Sequence, residues 1–176
     1  LHRAEIQWRS FYADLADVAG SRAESSEFLT ENEERIEREA DGYWAKDAGV
    51  LGGWAIAADT MTLIRAAKEA EDEADGLSDA GDFVEAYAER WHRADRAYWE
   101  IFAAVRAGGD YEHLQAVAGL HYQHYLDATN MAFQQALRDE GELPSSTVLE
   151  SSETLWDQSG KHAIIMVDSL RYGLAT

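Results

Sequence analysis

The residue placed most suggestively for chemistry is Asp168. Before it, Ala163, Ile164, Ile165, Met166 and Val167 are continuously apolar and partly β-branched. Gln158, Ser159, Gly160 and Lys161 form a loop ahead of them. Such a run reads as a strand buried on both faces, as in a parallel sheet. Parallel sheets collect ligands at the carboxyl ends of their strands. A divalent cation there would offset the cost of a buried carboxylate. Asp168 fits a turn cap equally well, accepting from backbone amides near Arg171. Both readings remain open on spacing alone.

Other constellations carry less. Glu89 and His92 have the E-x-x-H spacing of a carboxylate-bridged di-iron helix. That chemistry needs a second such motif and two further helical glutamates, and the sequence has no second motif. His121 and His124 are three apart, with Asp127 a turn further on. They could share a metal, but zinc wants a third and fourth ligand, so core or interfacial histidines are the better expectation. No serine sits in a glycine-flanked nucleophile elbow. The Gly-Gly pairs at 52 and 108 lack the context of a phosphate-cradling loop.

These residues must be positioned by helices. The 176 residues, 46% hydrophobic and with a single proline, suit one domain or one domain plus a fragment. A chain this long buries roughly 70% of its unfolded surface. There is no cysteine, so neither disulfides nor thiolate metal sites form. The formal charge of -19 opposes binding to nucleic-acid phosphates and anionic membranes. Lysine occurs three times and arginine twelve times. That imbalance fits a salt-rich cytoplasm or an arginine-rich codon usage. The lack of cysteine fits a cytoplasmic protein. No run of 18 apolar residues exists to span a membrane, and no signal peptide is visible. A first residue of Leu1 points to a missing natural N-terminus.

Periodicity predicts a mostly α fold, a multi-helix bundle over residues 1–145. Ala4, Trp8, Phe11, Leu15 and Val18 mark a first helix over 2–19. Residues 22–40 read as one or two solvated helices anchored by Phe28, Leu29 and Ile36, with capping-box spacing at Ser21–Glu24 and Thr30–Glu33. A long helix over 43–74 carries Val50, Trp54, Ala57, Met61 and Ile64 on one stripe. Its glycines 49, 52 and 53 suggest close helix contact or a kink, and its acidic end, 69–75, a solvated face. Asp82 is expected to cap the next helix, whose stripe runs Phe83, Tyr87, Trp91, Ala94, Tyr98, Phe102, Val105. This stripe is core rather than a base-stacking platform. Gly108 and Gly109 end that helix. A helix over 110–139 is apolar on two sides, hence central. A short helix over 147–157, within a 146–160 linker, leads to residues 161–176. There the first strand of an α/β domain begins and is cut off, so further strands and helices are expected to follow.

The tail His162-Ala-Ile-Ile-Met-Val-Asp-Ser-Leu-Arg-Tyr-Gly-Leu-Ala175 resembles the opening of the PglZ domain of BREX and Pgl phage-defence systems. That domain begins with an apolar strand followed by D-x-L-R-Y, matched by Asp168, Leu170, Arg171 and Tyr172. Tyr87–Tyr98 and Tyr122–Phe133 are similar to helical stretches that precede the domain. The resemblance covers roughly residues 82–176; the first eighty have no match.

The resemblance implies an α/β hydrolase of phosphate esters, similar to the alkaline phosphatase superfamily. It would use divalent metal ions, often zinc. It implies a metal-ligand role for Asp168 and none assigned for Leu170, Arg171 or Tyr172. The nucleophile and other ligands would lie beyond Thr176, so no catalytic residue lies within this chain and the fragment itself is expected to be inactive. Implied partners are other subunits of a defence complex. A phosphate-ester or nucleic-acid substrate would be met only through the missing domain. A non-enzymatic helical scaffold, with the tail strand pairing to another chain, is the competing expectation.

Overall fold

A computed structural model of the chain describes residues 2–42 and 52–140. It is a multi-helix bundle, with no strand among the described residues. Helices α1 (His2–Val18), α2 (Arg22–Glu31) and α3 (Glu33–Ala40) come first. Helix α4 (Gly53–Ala74) follows, then α5 (Ala80–Ala86), a π-helical turn (Tyr87–Trp91), α6 (His92–Arg106) and α7 (Glu112–Glu140). No helix of the described residues is long and apolar enough to cross a membrane. The expected short helix over 147–157, the strand over 163–167, Gly49 and Val50 all lie outside the described residues.

The first helix buries Trp8, Phe11 and Leu15, the stripe its periodicity marks. The charged stretch after it is two helices. Ser21 caps α2, its side chain accepting from the Glu24 amide at 3.3 Å. Thr30 caps nothing. It lies inside α2, and its hydroxyl donates to the Ser26 carbonyl at 2.7 Å. The break falls at Asn32, whose side chain donates to the Phe28 carbonyl at 2.9 Å. Leu29 and Ile36 anchor the pair in the core.

Helix α7 is central, as its two apolar sides predict: it packs on α1, α2, α4, α5 and α6. Helix α4 shares the centre, with α3, α6 and α7 all packed on it. Small residues give α4 its place, because Ala57, Ala67, Ala70 and Ala74 let neighbours approach from several sides. Gly53 does so most sharply. A Cβ added there would lie 2.1 Å from Cζ2 of Trp8, so the indole occupies the space a side chain would need. Trp8 also meets Trp54 edge-on, with centroids 5.1 Å apart. The Arg35 guanidinium covers the Trp54 ring at 5.1 Å and donates to the Gln7 carbonyl at 2.8 Å. Thus α3, α1 and α4 are tied by one cation–π contact and one hydrogen bond.

Asp79, not Asp82, caps α5: its backbone is extended and its side chain accepts from the Gly81 amide at 2.7 Å. Asp82 falls instead in the first turn, where the helix dipole favours a carboxylate. The helix starting at α5 runs on through the π turn to α6. Its buried positions include Phe83, Ala86, Trp91, Ala94, Ala97 and Ile101. The five-residue step from Ala86 to Trp91 is the span of one π turn. Trp91 and Ala94 are buried as the stripe predicts; beyond them Ala97 and Ile101 are buried rather than Tyr98 and Phe102, with Tyr98 packed at the edge of the core. Gly108 ends the run in the left-handed region at φ 98°, as the Gly-Gly pair predicts. At the start of α7, the Tyr12 hydroxyl accepts from the His113 amide at 3.1 Å, meeting one of that helix's orphan donors.

Candidate functional site

The described residues place their most developed polar arrangement where α5, the π turn, α6 and α7 meet. Its centre is Asp95, only 6% exposed. The Tyr87 hydroxyl donates to one carboxylate oxygen at 2.5 Å, and the Tyr122 hydroxyl to the other at 2.9 Å. Residues eight apart in an unbroken α-helix sit about 80° from each other around the axis. The wider π turn between Tyr87 and Asp95 takes up part of that offset, so both can face the same side. A π turn also displaces backbone carbonyls from their usual donors. Here side chains compensate: Nδ1 of His92 lies 3.2 Å from the Tyr87 carbonyl, and the Tyr125 hydroxyl donates to the Trp91 carbonyl at 3.4 Å.

Neighbouring rings hold these groups in place. Tyr98 stacks on Tyr122 with centroids 4.0 Å apart and planes 6° from parallel. The Trp91 indole donates to Glu73 at 2.8 Å, and Arg90 pairs with the same carboxylate at 2.5 Å. The indole hydrogen bond, then Arg90, holds the Glu73 carboxyl below its ordinary pKa. Burial pushes the Tyr125 hydroxyl well up, and the nearby Asp95 charge adds to the effect.

Beside Asp95 is a cavity of about 440 Å³. Phe83, Tyr87, Trp91, Tyr122, Tyr125 and Phe133 supply its aromatic walls, and Asp95 its one charged group among the described residues. Val84, 54% exposed, and Asn130 lie toward the surface. The site can hold an apolar body and direct a polar or cationic group at one carboxylate. Its tyrosines and aspartate form no nucleophile–base pair of the kind covalent catalysis uses.

The residues singled out for metal chemistry are scattered. Glu89 pairs with Arg90 at 2.7 Å, and His92 turns to the Tyr87 carbonyl. Asp127 accepts from Gln123 at 2.9 Å. His124 pairs with Glu71 at 3.0 Å, and Arg22 donates to both oxygens of that carboxylate, at 3.0 and 3.1 Å. The acidic run 69–75 is therefore only partly a solvated face. His121 is buried, as the core reading expects. Its Nε2 has no hydrogen-bond partner. Burial, then the Arg22 charge, lowers its pKa to about 4. Among the described residues no group of three or more His, Asp or Glu side chains could hold a metal ion. Asp168, Leu170, Arg171 and Tyr172 lie outside the described residues.

Sequence reasoning passed over Asp95. Between Arg93, Ala94 and Arg96 it resembles a surface charge. The available signal was Tyr87, Trp91 and Asp95 at four-residue steps, facing Tyr122 and Tyr125 on another helix. No protein-family model, curated protein or solved structure matches the chain.

Proposed function

We propose that this chain is the helical leading part of a PglZ-like anti-phage defence protein, a binding domain joined to the start of a metal-dependent phosphate-ester hydrolase. The observation carrying this reading is the apolar run Ala163–Val167 closed by Asp168, with Leu170, Arg171 and Tyr172 in D-x-L-R-Y order. The bundle supports a binding rather than a catalytic role for the described residues. Three of its acids are engaged with structural partners: Asp95 with two hydroxyls, Glu73 with Trp91 and Arg90, Glu71 with Arg22 and His124.

The described residues do not fit a resident divalent ion, since no cluster of three ligands exists among them. In this reading Asp168 is the one ligand that the chain contributes, and the others come from a hydrolase domain beyond Thr176. Zinc held there would activate the nucleophile and offset charge on the transferring phosphoryl group. The acidic surface directs the bundle toward other subunits of a cytoplasmic defence complex rather than toward DNA. Two measurements test the proposal. The isolated 176 residues should show no zinc-dependent phosphodiesterase activity; measurable turnover would overturn the assignment of chemistry to the missing domain. In the intact protein, Asp168→Ala should lower both bound zinc and hydrolysis. Unchanged values for both would remove the metal role.

The second reading, a non-enzymatic helical scaffold, is favoured by the large apolar side chains left exposed, notably Met131 at 71% on α7. An intact protein that ends near Thr176 would put this reading first.

A further inference from the structure

We propose that the cavity beside Asp95 binds a small free organic cation, a quaternary or alkylated ammonium group attached to an apolar body. Three observations in residues 80–140 lead there, independent of the tail. First, Asp95 is buried but pairs with no lysine, arginine or histidine among the described residues: the ion pairs formed there all involve other acids. Two hydroxyl donors satisfy hydrogen bonding, yet neither brings positive charge. Each carboxylate oxygen keeps further acceptor capacity, and attraction to a cation is strong where water is excluded.

Second, the remaining walls are aromatic. Phe83 and Trp91 meet edge-on at 5.8 Å, and Phe83 and Phe133 pack at 5.7 Å. Tyr122 and Tyr125 continue the wall at 5.8 Å. Ring faces attract cations that are weakly hydrated, and alkylated ammonium groups are the type that aromatic cages select. An inorganic divalent ion is a poor fit, because it needs several oxygen ligands and, among the described residues, Asp95 is the single carboxylate lining the cavity. An anion would be repelled. Third, a volume of about 440 Å³ lies within the range of small-molecule sites and exceeds what an ammonium head alone would fill. The space beyond the head runs past Leu126 and Thr129 and suits an apolar body.

The experiment titrates the full 176-residue chain with phenyltrimethylammonium and, in parallel, with tert-butylbenzene. The two have nearly the same shape, but the second lacks the charge. Amide and indole NMR shifts report occupancy at Trp91 and around Asp95. The expected result is saturable binding of the cation, with tert-butylbenzene at least ten-fold weaker. Asp95→Asn should weaken the cation at least ten-fold and leave tert-butylbenzene within about two-fold. Leu126→Trp, which fills the cavity and leaves Asp95 and its tyrosines in place, should abolish both, and it keeps the test decisive if Asp95→Asn does not fold. Equal affinity for the charged and neutral probes would overturn the proposal. So would an absence of saturable binding, or cation binding that survives Leu126→Trp.

Discussion

Helix α7 carries a titratable residue cluster on each side, and the two are built on opposite principles. On one side Tyr122 and Tyr125 face α6, where Asp95 receives two hydroxyl donors. On the other, His121 and His124 face α2 and α4, where Glu71 takes Arg22 and His124 while buried His121 keeps an unmet Nε2. The first cluster meets a buried acid with neutral donors. The second buries a base beside an arginine and leaves it neutral. The difference shows that satisfying a buried group's hydrogen bonds and supplying it with counter-charge are separate matters. Asp95 has the first without the second, which is what a ligand could add.

The largest expected effect comes from breaking the donor shell. Tyr87→Phe combined with Tyr122→Phe strips Asp95 of both hydroxyls, at a cost of about 3–5 kcal/mol, because a buried charge is left unsatisfied. Urea unfolding measures this. A combined loss below about 1 kcal/mol would mean that water serves Asp95 equally well. Adding Asp95→Leu to the same double variant should recover much of the loss, since an apolar trio carries no unmet group.

The histidine side predicts a pH effect. His121 has its folded-state pKa lowered to about 4, so between the ordinary histidine value and about 4 the unfolded chain takes up a proton that the folded chain refuses. Its contribution is present above about pH 6.5 and is lost as pH falls to about 4, up to about 3 kcal/mol. His121→Met should flatten that decline while holding or raising stability at pH 7. An unchanged pH profile would show His121 to be protonated in the fold.

Asp59 tests the opposite sign on the neighbouring helix. Burial, then the Glu100 charge, raises its pKa to about 6. The folded state therefore binds the proton more tightly, and this group's contribution falls as pH rises from about 4 to about 6. Asp59→Asn should stabilise the protein at pH 8 by about 1–2 kcal/mol. At pH 3 the gain should vanish; thermal unfolding at both values checks it. The smallest effect is expected at the edge of the aromatic cluster. Glu73→Gln should cost about 1 kcal/mol by weakening the bonds to Trp91 and Arg90. Because the Glu73 carboxyl lies below its ordinary value, wild type and variant should converge as pH falls through the carboxylate range.

Much of the bundle is legible in the sequence. The faces of α1 and α7 follow from Phe11, Leu15, Leu114 and Val117 at three- and four-residue steps. The stop at Gly108 follows from its tolerance of positive φ. The candidate site is less legible, because its key event is a backbone irregularity. Nothing in Tyr87-Ala-Glu-Arg-Trp91 forbids an ordinary α-helix. The π turn persists because Trp91 finds Glu73, Tyr87 finds Asp95, and Tyr125 meets a displaced carbonyl.

By itself, then, the sequence determined where helices form and which faces are apolar. Those properties rest on local sterics and on the 3.6-residue period. It also carries the D-x-L-R-Y tail on which the hydrolase reading depends. Tertiary structure decided the rest. It brought α3, α6 and α7 onto α4, because small side chains pack closely only once neighbours arrive. It also buried Asp95, because a charge flanked by arginines leaves solvent only where partners on another helix supply its hydrogen bonds.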